Sequence, residues 1–277
     1  MKTLLPLLIV FISFISCTTP RFPTEAESVI KYCFLGDVGK DSVAQDLVTM
    51  GLEHEKCHEI FFLGDIIYPN GLKDAEDKDF EVRFNRFYEK LTKKDHHPKL
   101  HIVLGNHDYR GNPDVWTQLA SVRPEIYAPS RYYWKKIKEF CFVVLDSNAA
   151  DFKEQEAWLK SQKEYWKNCG QRIALAHHSL ISSGPNYKTA SAKITSFYGD
   201  NIIGEFNFLL TGHEHVVEYM GKKRGTAIYI SGAGGAVAKK HLPGYVTMEK
   251  MDHDSTNVVM KLKTIERSGK VNVIQTN

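Results

Sequence analysis

Beyond its N-terminal stretch the chain has no long apolar run, no CxxC pair, no internal repeat, no low-complexity tract and little net charge. Each absence removes a class of protein. The one apolar stretch, Leu4 to Ile15, is too short for a confident membrane-spanning helix. Without CxxC spacing a thiolate zinc site has no framework. A net charge of +3 is too small to argue for nucleic acid, and no nucleic-acid partner is expected. What is present is ordinary for a soluble globular protein. With 43% hydrophobic and 25% charged residues, the 277 residues can bury a full core as one large domain or two small ones. Histidine is plentiful at 12, but only position gives that count meaning.

The N-terminus reads separately. Lys2 precedes the apolar stretch, which ends at Ser16-Cys17, the pattern of a secretory signal. Phe14-Ile15-Ser16-Cys17 also resembles a bacterial lipobox, in which the cysteine becomes the lipidated first residue; the other reading is plain cleavage near Cys17. Residues 1–17 are therefore expected to be a signal, 18–27 (TTPRFPTEAE) a polar tether, and 28–277 one domain. The expected location is the bacterial cell envelope, in the periplasm or on the outer surface, with membrane contact only through an N-terminal lipid. Cys33, Cys57, Cys141 and Cys169 remain, an even number that permits disulfides without fixing their pairing. Cys33 and Cys141 lie in strand-like runs and read as ordinary buried thiols.

From about Ser28 strand-like and helix-like segments alternate. Asp41 to Leu52 has helical spacing, with Gly51 as a stop signal. Phe80, Phe84, Phe87 and Leu91 mark the buried face of an amphipathic helix over 79–91, and Glu154 to Trp166 repeats the theme. Phe140 to Leu145 and Ala227 to Ile230 read as strands, and Met248 to Thr264 as two late strands around a turn at 252–255. Alternation in the first half argues for βαβ units with right-handed crossovers. Strands without intervening helices at the end point to a mixed or second sheet. The expected fold is an α/β, two-sheet sandwich.

Five short polar clusters each follow an apolar, β-prone run: Gly36-Asp37-Val38-Gly39, Gly64-Asp65-Ile66-Ile67-Tyr68, Gly105-Asn106-His107-Asp108, His177-His178 and Gly212-His213-Glu214-His215. Singly each is weak, because a Gly-Asp after a strand is usually a turn. Together they place carboxylates, an amide, a phenol and imidazoles at the carboxyl ends of strands, the edge of an α/β sheet where ligands gather.

The set GDVG, GDIIY, GNHD, HH and GHEH resembles the signature blocks of calcineurin-like metallophosphoesterases. Tyr68, three residues after Asp65, makes it similar to the purple acid phosphatase branch. So do Leu104 to Pro113, Arg131-Tyr132-Tyr133 and Leu145-Asp146-Ser147-Asn148, which look like the small, tartrate-resistant form; the likeness covers roughly residues 30 to 235. It implies an αββα sandwich and two metal ions bridged by Asp65. The first ion would take Asp37, Asp65, Tyr68 and His215; the second would take Asp65, Asn106, His178 and His213. Alignment of His178-Ser179 with the family's block favours His178 and leaves His177 in the core. Hard anionic oxygens suit Fe(III) in the tyrosinate site, and the more neutral second set suits Fe(II), Zn or Mn. Two ions ~3.5–4 Å apart can hold both ends of an in-line displacement.

The implied reaction is hydrolysis of small phosphate monoesters by a metal-bound hydroxide, in a protein expected to be monomeric. His107 would be the leaving-group donor, and Asp108 would hold its tautomer. A phosphodiesterase or nucleotide pyrophosphatase on the same core is the alternative within the class, and a non-catalytic surface-binding lipoprotein the alternative outside it. Three departures from the family pattern stand out: Val38 in the first block, Leu180 where a proline commonly follows the fourth, and no second phosphate-facing histidine between Ile181 and Ala192, where Asn186 or Tyr187 could fill the space. Gly232 to Gly235 reads as a tight turn beside the site, Arg131 to Lys136 as a surface hairpin, and His54 and His58 as parts of a helix-to-strand connection.

Overall fold

Side-chain alternation along the strands sets the layers. In β1 (Lys31–Leu35) Cys33 and Leu35 face one buried cluster while Tyr32 and Phe34 face another. Strands buried on both faces belong in the middle of a layered structure. The computed structural model describes residues 30–92, 97–184, 191–250 and 257–276. The expected signal, the tether, the turn at 252–255, Asn186 and Tyr187 lie outside these.

Two sheets form the frame. The first runs β13-β12-β11-β1-β2-β3-β4. Its members are β1, β2 (Glu59–Leu63), β3 (Lys99–Val103) and β4 (Ile126–Tyr127), all parallel, then β11 (Gly244–Lys250), β12 (Val258–Ile265) and β13 (Val271–Thr276), added antiparallel. The second runs β5-β6-β7-β8-β10-β9. It comprises β5 (Tyr133–Ile137), β6 (Phe140–Val144), β7 (Gln171–Leu175), β8 (Phe208–Thr211), β9 (Val217–Lys223) and β10 (Thr226–Ser231). The inner faces meet in an aromatic-rich core where Phe61, Phe142 and Phe34 stack.

Helices cover the outer faces. α1 (Val43–Glu55), α2 (Lys78–Phe80), α3 (Arg86–Thr92) and α4 (Val115–Val122) lie on the first sheet; α5 (Lys153–Trp166) and α6 (Ala192–Asn201) lie on the second. The αββα sandwich expected from the sequence is the observed fold. Among the described residues no helix is long and apolar enough to cross a membrane.

Three local expectations need correction. α1 passes through Gly51 and ends at Lys56, whose φ is +52°. Gly51 is instead a packing position, where a Cβ would come within 2.9 Å of Tyr245 Oη and Ile265 Cδ1. The amphipathic helix over 79–91 keeps its buried phenylalanines but contains a π turn, Glu81–Asn85, between α2 and α3. Cys33 and Cys141 are not free thiols, since disulfides join Cys33 to Cys57 and Cys141 to Cys169. Each partner sits on a connection just before the neighbouring parallel strand, so crossover closure supplies a proximity that spacing does not reveal.

Candidate metal centre

All five polar clusters stand at the carboxyl ends of β1, β2, β3, β7 and β8, on one edge shared by the two sheets. The backbone there is bent hard. Asp37, Asp65, His213 and His215 have φ of +59°, +53°, +70° and +54°, a region that non-glycine residues rarely enter and that concentrates at functional sites. Gly64 has a φ of +87°, and a Cβ on it would collide with the His177 ring. Glycine is required there for the fourth block to approach the second.

One half of the site gathers on a phenol. Tyr68 Oη donates to Asp37 Oδ1 at 2.9 Å and Asp65 Oδ2 at 3.0 Å, and lies 3.1 Å from His215 Nε2. Burial, reinforced by the Asp37 and Asp65 carboxylates, drives this phenol well above the ordinary tyrosine range. The other half gathers on an imidazole. His177 Nε2 lies 3.0 Å from Asn106 Oδ1, 3.2 Å from His213 Nδ1 and 3.3 Å from Asp65 Oδ1. Asp65 thus gives one carboxylate oxygen to each half. Ligand atoms of Asp37, Asp65 and His177 all lie within 4.8 Å of one another.

The charges compensate within this cluster. Burial would lower the His177 imidazolium, but the Asp65 and Asp37 carboxylates outweigh it and push it up to about 9. Burial would raise Asp65, yet His177 and the His107 backbone N–H hold it well below the usual carboxylate range. Burial and the neighbouring His177 and His178 bring His213 down to about 2, so its ring is neutral. A buried phenol among carboxylates and neutral imidazoles is a donor set that a cation would complete, because a cation favours the phenolate that this setting otherwise opposes. By residue chemistry the site fits metal ions.

The structure brings Asp37, Asp65, Tyr68, Asn106, His213 and His215 together as the sequence pattern implies. It differs at two residues. His177, not His178, occupies the fourth-block position between Asp65 and Asn106. Along β7, Ile173 and Leu175 face the inter-sheet core while Ala174 and Ala176 face the helices, so the parity that carries 177 inward carries 178 outward. His178 pairs with Ser147, its Nδ1 lying 2.9 Å from Ser147 Oγ. Burial, then the charge of His177, lowers it to about 3.

Asp108 is the second difference. It does not touch His107; its carboxyl accepts from Gly105 N at 2.8 Å and Ile66 N at 3.1 Å, which ties the second and third blocks together. Burial and the charge of Asp65 raise it to about 7. The His107 tautomer is held instead by Pro69, whose carbonyl accepts from Nδ1–H at 2.6 Å. His107 Nε2 lies 3.8 Å from Asp65 Oδ2, and its ring packs on Tyr68 with centroids 4.3 Å apart.

Further contacts support the site, and of the residues that make them only Lys40 was not singled out by the sequence. Asp37 Oδ2 accepts from His213 N at 2.7 Å, and Lys40 lies over the Tyr68 ring at 5.0 Å. Gly232 and Gly234 pack on the first block, Gly234 N donating to Gly36 O at 3.0 Å, as a tight turn beside the site should.

The two-sheet frame and this polar edge define a phosphoesterase of the calcineurin-like type. The family model for calcineurin-like phosphoesterases matches residues 30–217, and the chain belongs to that family. Purple acid phosphatase 17 of Arabidopsis thaliana is 26% identical over 256 residues, covering 78% of this chain and 71% of that protein. Tartrate-resistant acid phosphatase type 5 of Sus scrofa is 25% identical over 232 residues, covering 73% of this chain and 64% of that protein. Among solved structures, GAP50, the anchor in the inner membrane complex of Plasmodium, superimposes with a TM-score of 0.67 at 17% identity, covering 90% of this chain and 89% of that one, a likeness of fold alone.

Proposed function

We propose that this protein is an exported binuclear metallophosphatase that hydrolyses phosphate monoesters. The observation that carries the reading is the convergence of Asp37, Asp65 and His215 on the Tyr68 hydroxyl, beside a second cluster that shares Asp65. Asp37, Asp65, Tyr68 and His215 would hold one ion; Asp65, Asn106, His177 and His213 would hold the other. Two carboxylates and a phenolate favour Fe(III) in the first position, and an amide with two imidazoles favours Fe(II), Zn or Mn in the second. When bound, such a pair lowers the pKa of water and offsets the charge of the ester.

The chain's own residues do the rest. Pro69 fixes the Nδ1 proton of His107, so it is the imidazolium form whose second proton, on Nε2 on the side of Asp65, passes to the departing oxygen. Asp108 holds the two loops that carry Asp65 and Asn106. The Cys33–Cys57 and Cys141–Cys169 disulfides support an oxidising, extracytoplasmic location, and Cys17 is the proposed lipid attachment. Mass spectrometry of the peptide bearing Cys17 tests the anchor, an acyl mass supporting it and a free N-terminus beyond Cys17 opposing it.

The activity is tested with 4-nitrophenyl phosphate, its bis-ester and a nucleoside triphosphate, on protein loaded with Fe/Zn or Fe/Mn. The monoester should turn over fastest, and Asp65→Ala should abolish turnover. Preference for the diester would move the reading to a phosphodiesterase. No turnover by the wild type in either metal form would favour a non-catalytic surface protein.

A further inference from the structure

Asn106, a member of the metal cluster, is also a wall of a neighbouring cavity. This space of ≈ 440 Å³ runs past His178 to Lys193 in the first turn of α6. Its volume is that of a small-molecule site. Tyr109 and Phe152 give it aromatic walls. Tyr109 is held by its hydroxyl on Asp146, and Phe152 by stacking on Phe197 at 4.3 Å, so both walls are anchored.

The polar lining is mixed, but its charge is of one sign. No carboxylate lines it, and Lys193 is its one charged side chain among the described residues. Among the described residues the Lys193 ammonium, with three N–H groups, gives one hydrogen bond, to Ala150 O at 3.2 Å. His178 is anchored on Ser147. Ser147 Oγ accepts from the His178 backbone N–H at 3.1 Å and lies 2.9 Å from its Nδ1. The ring lines the cavity beside Asn106.

We propose that this cavity is the leaving-group site, and that it selects phosphate esters whose leaving group carries an anion of its own. Lys193 pairs with that anion, and the ester lies at the opposite end, near Asn106 and the His178 ring. The inference rests on the metallophosphatase reading for the position of the reacting phosphate, and adds the class of ester to it.

The test compares phenyl phosphate with 3-carboxyphenyl phosphate on the metal-loaded wild type, Lys193→Ala and Lys193→Arg. Taking the ratio of the two esters within each protein, then between proteins, cancels their intrinsic reactivities. The charged-to-neutral ratio of kcat/KM should fall about tenfold in Lys193→Ala, the scale of one charge-assisted hydrogen bond at a partly exposed site, and should be retained in Lys193→Arg. A ratio that does not move in Lys193→Ala overturns the proposal. Binding of benzylphosphonate and its 3-carboxy derivative, measured by calorimetry, gives the same comparison without turnover. If neither ester is hydrolysed, the phosphatase reading fails. The calorimetric ratio then decides the subsite alone, a tenfold loss in Lys193→Ala supporting it and equal affinities contradicting it.

Discussion

His177 Nε2 lies 3.0 Å from Asn106 Oδ1, a contact that joins the carboxyl end of β7 in one sheet to that of β3 in the other. The two sheets therefore meet chemically as well as through their apolar core. A ligand set split between them holds its geometry only while the sandwich is intact.

The assignment of His177 over His178 is open to direct measurement. His177→Ala should leave the protein with about one ion instead of two and lower kcat/KM by at least about a hundredfold. His178→Ala should keep both ions and most of the turnover of phenyl phosphate. Metal content by plasma mass spectrometry, read beside the kinetics, separates the two. The opposite pattern would restore His178 as the ligand.

The fold was legible from period and punctuation, and the site nearly so. Alternating strand and helix signals in the first half sufficed for the parallel strands, and the apolar runs ending in GD, GNHD and GHEH located the edge. What escaped was information carried by a third dimension. Matching His178-Ser179 to a short block ignores strand parity, and the alternation of Ile173, Ala174, Leu175 and Ala176 would have turned His177 inward. Asp108 follows His107 in sequence, yet the chain turns between them and the carboxyl meets Gly105 N and Ile66 N. The cysteine partners lie 24 and 28 residues apart, brought together only when each crossover closes.

Tyr68 supplies a spectroscopic prediction. Iron-loaded wild type should show a visible phenolate-to-Fe(III) charge-transfer band, and Tyr68→Phe should lose it while retaining iron through Asp37, Asp65 and His215. A band that survives the substitution would place the colour on another ligand.

The disulfides should account for part of the stability. Alkylation of the denatured, unreduced protein should label none of Cys33, Cys57, Cys141 and Cys169. The paired substitution Cys33→Ala/Cys57→Ala should cost about 3 kcal/mol, the scale for a loop of this length. Denaturant unfolding measures it, and an unchanged midpoint would show that the bond constrains little.

Acid sensitivity should trace to Glu55. Its carboxylate accepts from Lys263 at 2.5 Å and Lys31 at 2.6 Å. Burial would raise its pKa, but these two ammonium groups outweigh burial and lower it. With the folded value below the unfolded one, the pairing stabilises the protein above the ordinary glutamate range. That contribution is lost as pH falls through the folded value. Glu55→Gln should cost about 2 kcal/mol at neutral pH and less on acidification. Thermal unfolding between pH 7 and pH 3 reads this out, and a cost that is independent of pH would contradict it.

The most direct measurement is anomalous diffraction at the metal absorption edges from crystals of the loaded protein. Two peaks should flank the Asp65 carboxylate, one against Tyr68, Asp37 and His215, the other against Asn106, His177 and His213. A single peak, or ions bound away from Asp65, would contradict the account.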